Sequence, residues 1–459
     1  MNKQRTFTLL AALVVLAMLT AACVPVAAPT EVPAAAEPAE APAPEGGVVK
    51  WFEFYTLDTG PSGILNQEWM AGIIEQFESE NPGWKVELES APWDQIDQRS
   101  IIDYNAGVPH DLMFSSPQLM AKHQEVGDYL DLTPFINQWP QSEIDDLNWS
   151  AGWTSATFGD EQVAVALGVH IRANVYNREM FEAAGLDPDK PFTTPEEVVE
   201  AAKLLTKADE DIWGLGLHMG SDRATIELVY APLVWHFGGD FYDPDTKKAT
   251  LAGDAGVKAV EWLWDAVHTH KITPPYAYAA DADYGNLVNR MFLNGQVAQA
   301  MGFGSYWIAN LEDEGMIKDC FPASANCTVG TASIMVQPSS VKAQFANSWN
   351  LSIHKLSENP EMAWKLIEVV LRPENLATYP DAGLPARLSM WDAPEYSSDF
   401  WQLWLEAAKN GRPMPATPFY GELADAVSAA LQEALAGDRA DIPAILQKFE
   451  DEWNNQYAP

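Results

Sequence analysis

The stretch Phe77-Glu-Ser-Glu-Asn-Pro-Gly-Trp-Lys-Val-Glu87 decides the fold class, because a helix gives way to a strand within it. Residues 64–79 carry apolar side chains at helical spacing, and Asn81-Pro-Gly83 is typical of a turn. A strand is predicted over 84–88, and another over 48–55 upstream of the helix. This β-α-β succession predicts a largely parallel sheet covered by helices, and therefore an α/β protein.

The pattern continues downstream with a helix predicted over 94–105 and a short buried strand over 111–114. In open α/β sheets, ligands bind beyond the carboxyl ends of the strands. Tyr55 lies at the end of the first strand, and Ser115 and Ser116 follow the third. These three residues are therefore candidate ligand contacts.

The N-terminal segment indicates export. Lys3 and Arg5 precede an apolar run over 7–19, a pattern typical of a secretory signal peptide, which we place at residues 1–22. The run is too short for a comfortable membrane span. An exported protein is therefore expected.

The end of this segment, Leu19-Thr-Ala-Ala-Cys23, resembles a bacterial lipobox, with Thr20 where leucine is usual. The resemblance implies a lipid on Cys23, and an ordinary cleaved signal is the alternative. Residues 23–47 are rich in proline and alanine and have no periodic apolar face, which predicts an extended tether. We expect a protein anchored by lipid to the outer face of the cell membrane, in the periplasm or at the cell surface.

The charge balance restricts the partners. The 459-residue chain has 65 acidic and 27 basic residues, a formal net charge of −38 at pH 7. This argues against nucleic acid and anionic membrane surfaces, because both bind clustered basic residues. The acidic runs are solvated faces or, alternatively, steer a cationic ligand. Beyond the signal peptide no eighteen-residue apolar stretch occurs, so a role in transport would need a membrane partner.

Cysteine usage predicts one local disulfide. Cys320 and Cys327 flank a short loop with turn residues, and an oxidising exported compartment favours their pairing. A two-cysteine metal site would lack a nearby histidine. The pairs Asp243/Asp245 and Asp281/Asp283 do not continue with calcium-loop spacing. No metal and no cofactor are expected.

Several segments together resemble one family. They are the opening stretch and, in chain order, Gly127-Asp-Tyr-Leu-Asp-Leu-Thr-Pro-Phe135, Val175-Tyr-Asn-Arg-Glu-Met-Phe-Glu-Ala-Ala-Gly-Leu-Asp187, Phe237-Gly-Gly-Asp-Phe241, Phe292-Leu-Asn-Gly-Gln-Val-Ala-Gln-Ala-Met301 and Gly383-Leu-Pro-Ala-Arg387. In this order the chain resembles the extracellular solute-binding proteins of the carbohydrate-uptake, maltose-binding class of ABC importers.

The resemblance implies a type II periplasmic-binding-protein-like fold, with two α/β lobes and a hinge that the chain crosses several times. The crossings are expected near 165–171 and 345–353, with a return near 391–401. The expected lobes are 48–166 plus 347–394 for lobe one, and 167–346 plus 395–459 for lobe two. The ligand cleft would lie between them and close on binding.

A sugar site needs flat aromatic rings and side chains that both donate and accept hydrogen bonds. Trp307 follows a strand that runs into a glycine-containing turn, like the family's junction that carries a stacking aromatic, and Tyr306 and Gly304 are its neighbours. Core packing is favoured instead for four other tryptophans, because Trp262 and Trp264 lie in an apolar helix over 257–267, and Trp401 and Trp404 have i, i+3 helical spacing.

The remaining candidates come from positions matched to the family. Trp235 precedes the paired glycines that let backbone approach a ligand, with Gly239 and Asp240. His170 lies in the hinge strand, as a ligand contact or as a satisfied interior group. Three more candidates remain. Arg387 would make a cleft contact, an interlobe pair or a lobe-one salt bridge. Trp349 would add a ring near the hinge, and Tyr420 is an aromatic residue that begins a late helix.

Enzyme motifs do not occur in the sequence. Gly-x-Ser-x-Gly, His-Glu-x-x-His and the phosphate loop are all missing, so no catalytic activity is expected. The sequence predicts a monomeric lipoprotein that captures a sugar or oligosaccharide and delivers it to the permease subunits of an ABC importer. The alternatives are a secreted glycoside hydrolase with two catalytic carboxylates, or the same fold binding a polyamine or peptide.

Overall fold

The computed structural model describes residues 46–56, 61–92, 95–190, 192, 194–282, 285–308, 311, 314–317, 329–332, 344–380 and 384–459. The predicted signal peptide, lipidated Cys23, nearly all of the tether and the pair Cys320/Cys327 lie outside these residues. Among the helices so described, none combines the length and the apolar character that crossing a bilayer requires.

The strands alternate with helices along the first part of the chain, as the sequence predicted. They are β1 (Gly47–Glu53), β2 (Trp84–Ser90), β3 (Leu112–Ser115), β4 (Thr157–Phe158), β5 (Glu161–Gln162), β6 (Val165–Asn177), β7 (Tyr242–Asp243), β8 (Lys248–Ala249), β9 (Gln299–Gly304), β10 (Val329–Ala332), β11 (Gln344–Ile353) and β12 (Gly411–Arg412).

The helices pack around the strands, and the longest ones after α1 lie near the end of the chain. They are α1 (Pro61–Glu80), α2 (Ile96–Ala106), α3 (Met120–Val126), α4 (Thr133–Ile136), α5 (Gln141–Leu147), α6 (Ala151–Ser155), α7 (Arg178–Ala183), α8 (Pro195–Leu205), α9 (Ala231–His236), α10 (Asp254–Trp264), α11 (Met291–Leu293), α12 (Pro360–Val370), α13 (Pro373–Leu376), α14 (Asp399–Lys409), α15 (Tyr420–Ala436) and α16 (Ile442–Tyr457). A π-helical turn, Ile226–Tyr230, leads into α9.

Helix α1 shows how the opening stretch works. Met70, Ile73 and Phe77 recur at helical spacing and are buried, so one face of the helix packs on the sheet. The helix ends where the side-chain amide of Asn81 donates to the Phe77 carbonyl at 2.8 Å. Gly83 then takes a positive φ of 95°, which glycine adopts without strain, and β2 begins.

The main sheet is parallel in one part only. Strand β1 is parallel to β2 and to β3, whereas β11 is antiparallel to β3 and to β6. The prediction of a largely parallel sheet is therefore right for the first three strands and wrong for the two longer ones. The reason is that β6 carries the chain out of this region and β11 carries it back, so the two run in opposite directions.

Strands β6 and β11 each join two groups of strands. The first half of β6 pairs with β11, and its second half pairs with β9 and β10. Strand β11 begins beside β12 and ends beside β3. Both strands are almost wholly buried, and their register shifts between Trp349 and Asn350. These two strands occupy the segments predicted to cross the hinge.

Buried apolar side chains form separate cores on the two sides of these strands. The first core takes its residues from 49–167 and 351–386. The second takes nearly all of its residues from 176–301 and 420–453. A third core lies around the second half of β6 and includes Trp404, which is fully buried, while Trp262 and Trp264 pack against the second core. The core roles predicted for these three tryptophans are confirmed. The exact lobe boundaries stay a prediction.

Candidate functional site

A pocket of about 290 Å³ lies between residues attached to the first core and residues attached to the second. One wall comes from 117–121, which leads into α3, and from 154–157 at the end of α6. The opposite wall comes from 240–244 and 412–416. The lining mixes hydroxyl, amide and charged groups with proline and methionine side chains, so it offers both polar and apolar contacts.

Asp240 and Arg412 form an ion pair on the second wall. An Arg412 nitrogen donates to Asp240 Oδ2, and the Arg412 guanidinium carbon lies 4.6 Å from the centre of the Trp235 ring. Trp235 Nε1 in turn donates to Asp240 Oδ1 at 3.3 Å, and the backbone N–H of Phe241 donates to the same oxygen at 3.0 Å. These contacts fix both charged groups at the pocket surface.

Trp235 itself is only 1% exposed, and the guanidinium of Arg412 lies over its ring. It therefore supports Arg412 in this structure and is not an open stacking surface. A Cβ on Gly239 would lie 2.4 Å from the Cβ of Ala255. The close approach that this glycine allows here is to helix α10. Of the three predicted neighbours, Asp240 lines the pocket.

A buried carboxylate, Glu227, lies beside the pocket, since it accepts a hydrogen bond from Gln118 of the first wall. It is 4% exposed and lies on the π-helical turn before α9. Its Oε1 accepts from Gln118 Nε2 at 3.2 Å and from the Tyr420 hydroxyl at 3.2 Å, and its Oε2 accepts from Arg172 at 3.3 Å. The buried charge is thus balanced by one cation and two neutral donors.

Tyr420 starts α15, as the sequence predicted, and its hydroxyl points at this carboxylate. Burial raises the pKa of the Tyr420 phenol well above its usual range, and the neighbouring Glu227 raises it further. The hydroxyl therefore keeps its proton and acts as a donor to Glu227 over the physiological range.

His170 and Trp349 are brought together in the hinge strands. Their rings face each other across β6 and β11 with centroids 4.5 Å apart, and Trp349 also lies within 6 Å of Phe54 and Phe114. His170 is buried and Trp349 is half-buried. Neither residue is among those that line the 290 Å³ pocket.

The residues that follow the strand ends are buried. The Tyr55 hydroxyl lies 3.0 Å from that of Tyr379, and the Ser115 hydroxyl donates to Ser352 at 2.6 Å. Ser116 is 2% exposed and directly precedes Pro117, where the pocket lining begins. Tyr55, Ser115 and Ser116 do not line the 290 Å³ pocket, and their role as ligand contacts stays a prediction.

Trp307 lies in the predicted junction between strand and turn. Strand β9 ends at Gly304, a short 3₁₀ turn covers Ser305–Trp307, and the half-buried Trp307 ring packs against the third core. Gly304 pairs with Arg172, which reaches Glu227. The side chain of Tyr306 lies outside the described residues. The structure does not place Trp307 in the pocket lining.

Arg387 lies in an ion-pair cluster of the first core's side. It is 6% exposed, donates to the Leu371 carbonyl at 2.6 Å and to Asp146 at 3.0 Å, and also pairs with Glu143. This matches the salt-bridge alternative that the sequence left open.

Across the described ranges, no cluster of three or more histidine, cysteine, aspartate or glutamate side chains is placed to hold a metal ion.

Three residues of the site were missed in the sequence. Arg412 directly precedes a proline-rich run, which could have marked it, because such a run predicts an ordered loop. Glu227 gave no signal among 65 acidic residues. Gln118 follows the strand-end serines by two residues, so the same strand-end argument could have included it.

The chain belongs to the bacterial extracellular solute-binding protein family, whose model matches residues 62–377. Two relatives are each 23% identical. One, from Brucella abortus, is named as a binding protein and aligns over 86% of this chain and 89% of its own. The other, from Sinorhizobium fredii, is named as an amino-acid ABC transporter periplasmic-binding protein and aligns over 72% of each chain.

Solved structures with the same fold include two binding proteins of ABC transporters that hold carbohydrates. One, from Thermotoga lettingae with α-D-tagatose, is 21% identical, has a TM-score of 0.70 and covers 89% of this chain and 99% of its own. The other, from Listeria monocytogenes with cycloalternan, is 18% identical, has a TM-score of 0.70 and covers 90% and 99%. The two-lobed periplasmic-binding-protein fold is thereby confirmed. Membership of this extracellular family implies an exported protein.

Proposed function

We propose that the protein captures a neutral polyhydroxylated molecule, a sugar or oligosaccharide, in the 290 Å³ pocket between its lobes and delivers it to the permease subunits of an ABC importer. The observation that carries this proposal is the charge balance of the pocket region. Asp240 is paired with Arg412, and Glu227 is paired with Arg172. A neutral ligand can use these groups as hydrogen-bond partners without leaving an uncompensated charge.

The other lining groups suit the same ligand. Thr154, Ser155 and Thr157 carry hydroxyls that donate and accept, as a sugar's own hydroxyls do. Met120 and Met414 supply apolar surface for the C–H face of a sugar ring. A concave site of a few hundred Å³ with a small number of placed polar groups is typical of small-molecule binding.

Cationic and zwitterionic ligands are the competing class. A polyamine needs carboxylates that are free to pair with it, and an amino acid needs one site for each of its charges. The name of the Sinorhizobium relative favours testing amino acids in particular. The assignments of Tyr306, Trp307 and His170 as ligand contacts remain proposals.

Membrane attachment is the second part of the proposal. We infer that Cys23 carries a lipid and that residues 23–47 tether the lobes to the outer face of the membrane. The support is the lipobox-like sequence and the family's extracellular role. Replacing Cys23 by serine should move the protein from the membrane fraction to the soluble fraction. Retention of the Cys23→Ser protein in the membrane would contradict the anchor.

The experiment that tests the ligand class is a thermal-shift screen of the purified protein against mono-, di- and oligosaccharides, polyols, amino acids, polyamines and short peptides, with recovered ligand checked for cleavage. A ligand at about 100 times its dissociation constant adds roughly 2.7 kcal/mol of stability if it binds only the folded state. A shift with intact sugars or polyols is expected. Stabilisation by amino acids or polyamines alone would overturn the carbohydrate class, and cleavage would indicate a hydrolase.

A further inference from the structure

A hydrogen bond beside the pocket joins Gln118 to Glu227. Gln118 is two residues before Met120, which packs in the first core. Glu227 lies between Ile226 and Leu228, which pack in the second core. The bond therefore joins the two lobes directly, and separating the lobes at this point must break it.

The acceptor is held ready on the second lobe. Arg172 and Tyr420 bind the Glu227 carboxylate from β6 and from the start of α15, and these contacts do not involve the first lobe. Glu227 is therefore held in position by its own lobe whether or not Gln118 is near. A charged acceptor makes a stronger hydrogen bond than a neutral one. An acceptor that is already fixed also loses little conformational entropy when the donor arrives.

A second contact supports the same approach of the lobes. Lys122 Nζ, on the first turn of α3, lies 5.6 Å from the centre of the Phe419 ring, next to Tyr420. Phe419 packs against the second core. Gln118 and Lys122 of the first lobe thus reach two parts of the second lobe, Glu227 and the start of α15, which are joined by the hydrogen bond from Tyr420 to Glu227.

We propose that Gln118 and Glu227 form an interlobe latch that favours the closed form through protein contacts alone, before any ligand contributes. This proposal rests on the proposed function in one respect, since it takes the cleft beside the latch as the ligand site. The latch sets how much of the protein is already closed. A ligand that binds the closed form then has less conformational free energy to supply, so the latch raises its apparent affinity.

The test measures closure without ligand. We would record small-angle X-ray scattering of the purified protein for wild type, Gln118→Ala and Gln118→Glu. Gln118→Ala removes the donor and should lower the closed-to-open ratio about tenfold, in line with the loss of one hydrogen bond to a charged group. Gln118→Glu places two carboxylates face to face and should open the protein further. Both variants should show a larger radius of gyration than wild type.

Gln124→Ala is the matched control, because the Gln124 amide bonds Glu161 at 3.3 Å within the first lobe. Its scattering should match wild type. Thermal unfolding should give similar midpoints for all four proteins, which separates opening from loss of fold. Scattering of Gln118→Ala and Gln118→Glu that superposes on wild type would overturn the latch. This measurement uses no ligand, so a failed ligand screen and a failed latch are distinguishable.

Discussion

The guanidinium of Arg412 covers the ring of Trp235, and the indole N–H of Trp235 donates to the carboxylate that pairs with Arg412. The tryptophan thus orients both members of an ion pair, one through its ring face and one through its edge. A large buried aromatic residue contributes to the pocket here without touching its interior.

Arg412→Ala should weaken ligand binding about tenfold, because it removes one polar group of the pocket and leaves Asp240 without its cation. The loss of the contact to Trp235 adds about 0.5–2 kcal/mol of destabilisation. Titration calorimetry with the ligand found in the screen checks the affinity. Arg439→Ala is the control, because Arg439 pairs with Glu261 and Asp265 outside the pocket lining. Equal effects of the two substitutions would argue against a role of Arg412 in binding.

Trp307→Ala should weaken binding by about 2 kcal/mol or more if this ring anchors the ligand. Trp401→Ala is a matched comparison, since Trp401 is also half-buried and packs against the same third core. Both variants should lose some stability, and Trp307→Ala alone should lose affinity. Unchanged affinity in a folded Trp307→Ala protein would remove this residue from the site.

We predict that the folded protein loses stability at alkaline pH because His123 loses its proton. It is fully buried between Asp128, 2.8 Å from Nδ1, and Asp97, 3.0 Å from Nε2. Burial opposes its charge, but the two carboxylates outweigh burial and raise the pKa of His123 to about 9. Tyr129 stacks on the ring at 4.2 Å, and its phenol stays neutral because burial raises its pKa well above the usual range.

Since the folded pKa lies above the unfolded value, the contribution of His123 is complete below about pH 6.5 and is lost as pH rises through about 9. The shift corresponds to roughly 3 kcal/mol. Urea unfolding of wild type and His123→Gln should differ most at pH 6 and converge above pH 9. Gln124→Ala, on the same helix, should differ from wild type by a constant amount. A difference between wild type and His123→Gln that does not change with pH would contradict the charged form of His123.

We predict the opposite pH dependence for His354, whose contribution to the free energy of unfolding is lost in acid. Burial and, to a smaller extent, the nearby His110 lower the pKa of His354 to about 4. Its Nδ1 accepts from the Leu356 N–H at 3.2 Å, which requires the neutral ring. Because the folded pKa is depressed, this contribution is present above about pH 6.5 and is lost as pH falls through about 4. His354→Asn keeps an acceptor and does not titrate, so its unfolding free energy should fall less steeply in acid than that of wild type.

Gly302→Ala should destabilise the protein more than Gly127→Ala. Both glycines have positive φ, 77° and 75°, so both substitutions introduce backbone strain of about 1–2 kcal/mol. A Cβ at 302 would also lie 2.8 Å from the Leu228 carbonyl oxygen, whereas at 127 no atom is within 4 Å. The crowding should add about 1–3 kcal/mol. Equal unfolding midpoints for Gly302→Ala and Gly127→Ala would show that the turn at Leu228 moves and relieves the crowding.

The sequence predicted the fold well, because periodicity and turn residues act locally. The limits of α1 and the start of β2 are confirmed within a few residues by burial of Phe77 and by the turn at Gly83. The antiparallel direction of β11 was missed, because strand direction depends on where a distant segment returns and not on its own residues.

The pocket was predicted less completely. Asp240 and the strand end beside Ser116 carried usable signals. Glu227 and Arg412 are 185 residues apart in sequence, and their partners, Arg172 and Asp240, come from other elements. Such pairs form only when the chain is folded, so composition and spacing do not reveal them.

The pairing of β6 with β11 also restricts how the molecule can move. Two neighbouring backbone segments pass between the lobes and are hydrogen-bonded to each other. We expect two hydrogen-bonded strands to bend together as the lobes open and to resist twisting of one lobe against the other. With the predicted return of the chain near 391–401 as a third connection, a cut in β6 or in β11 alone would leave the lobes attached.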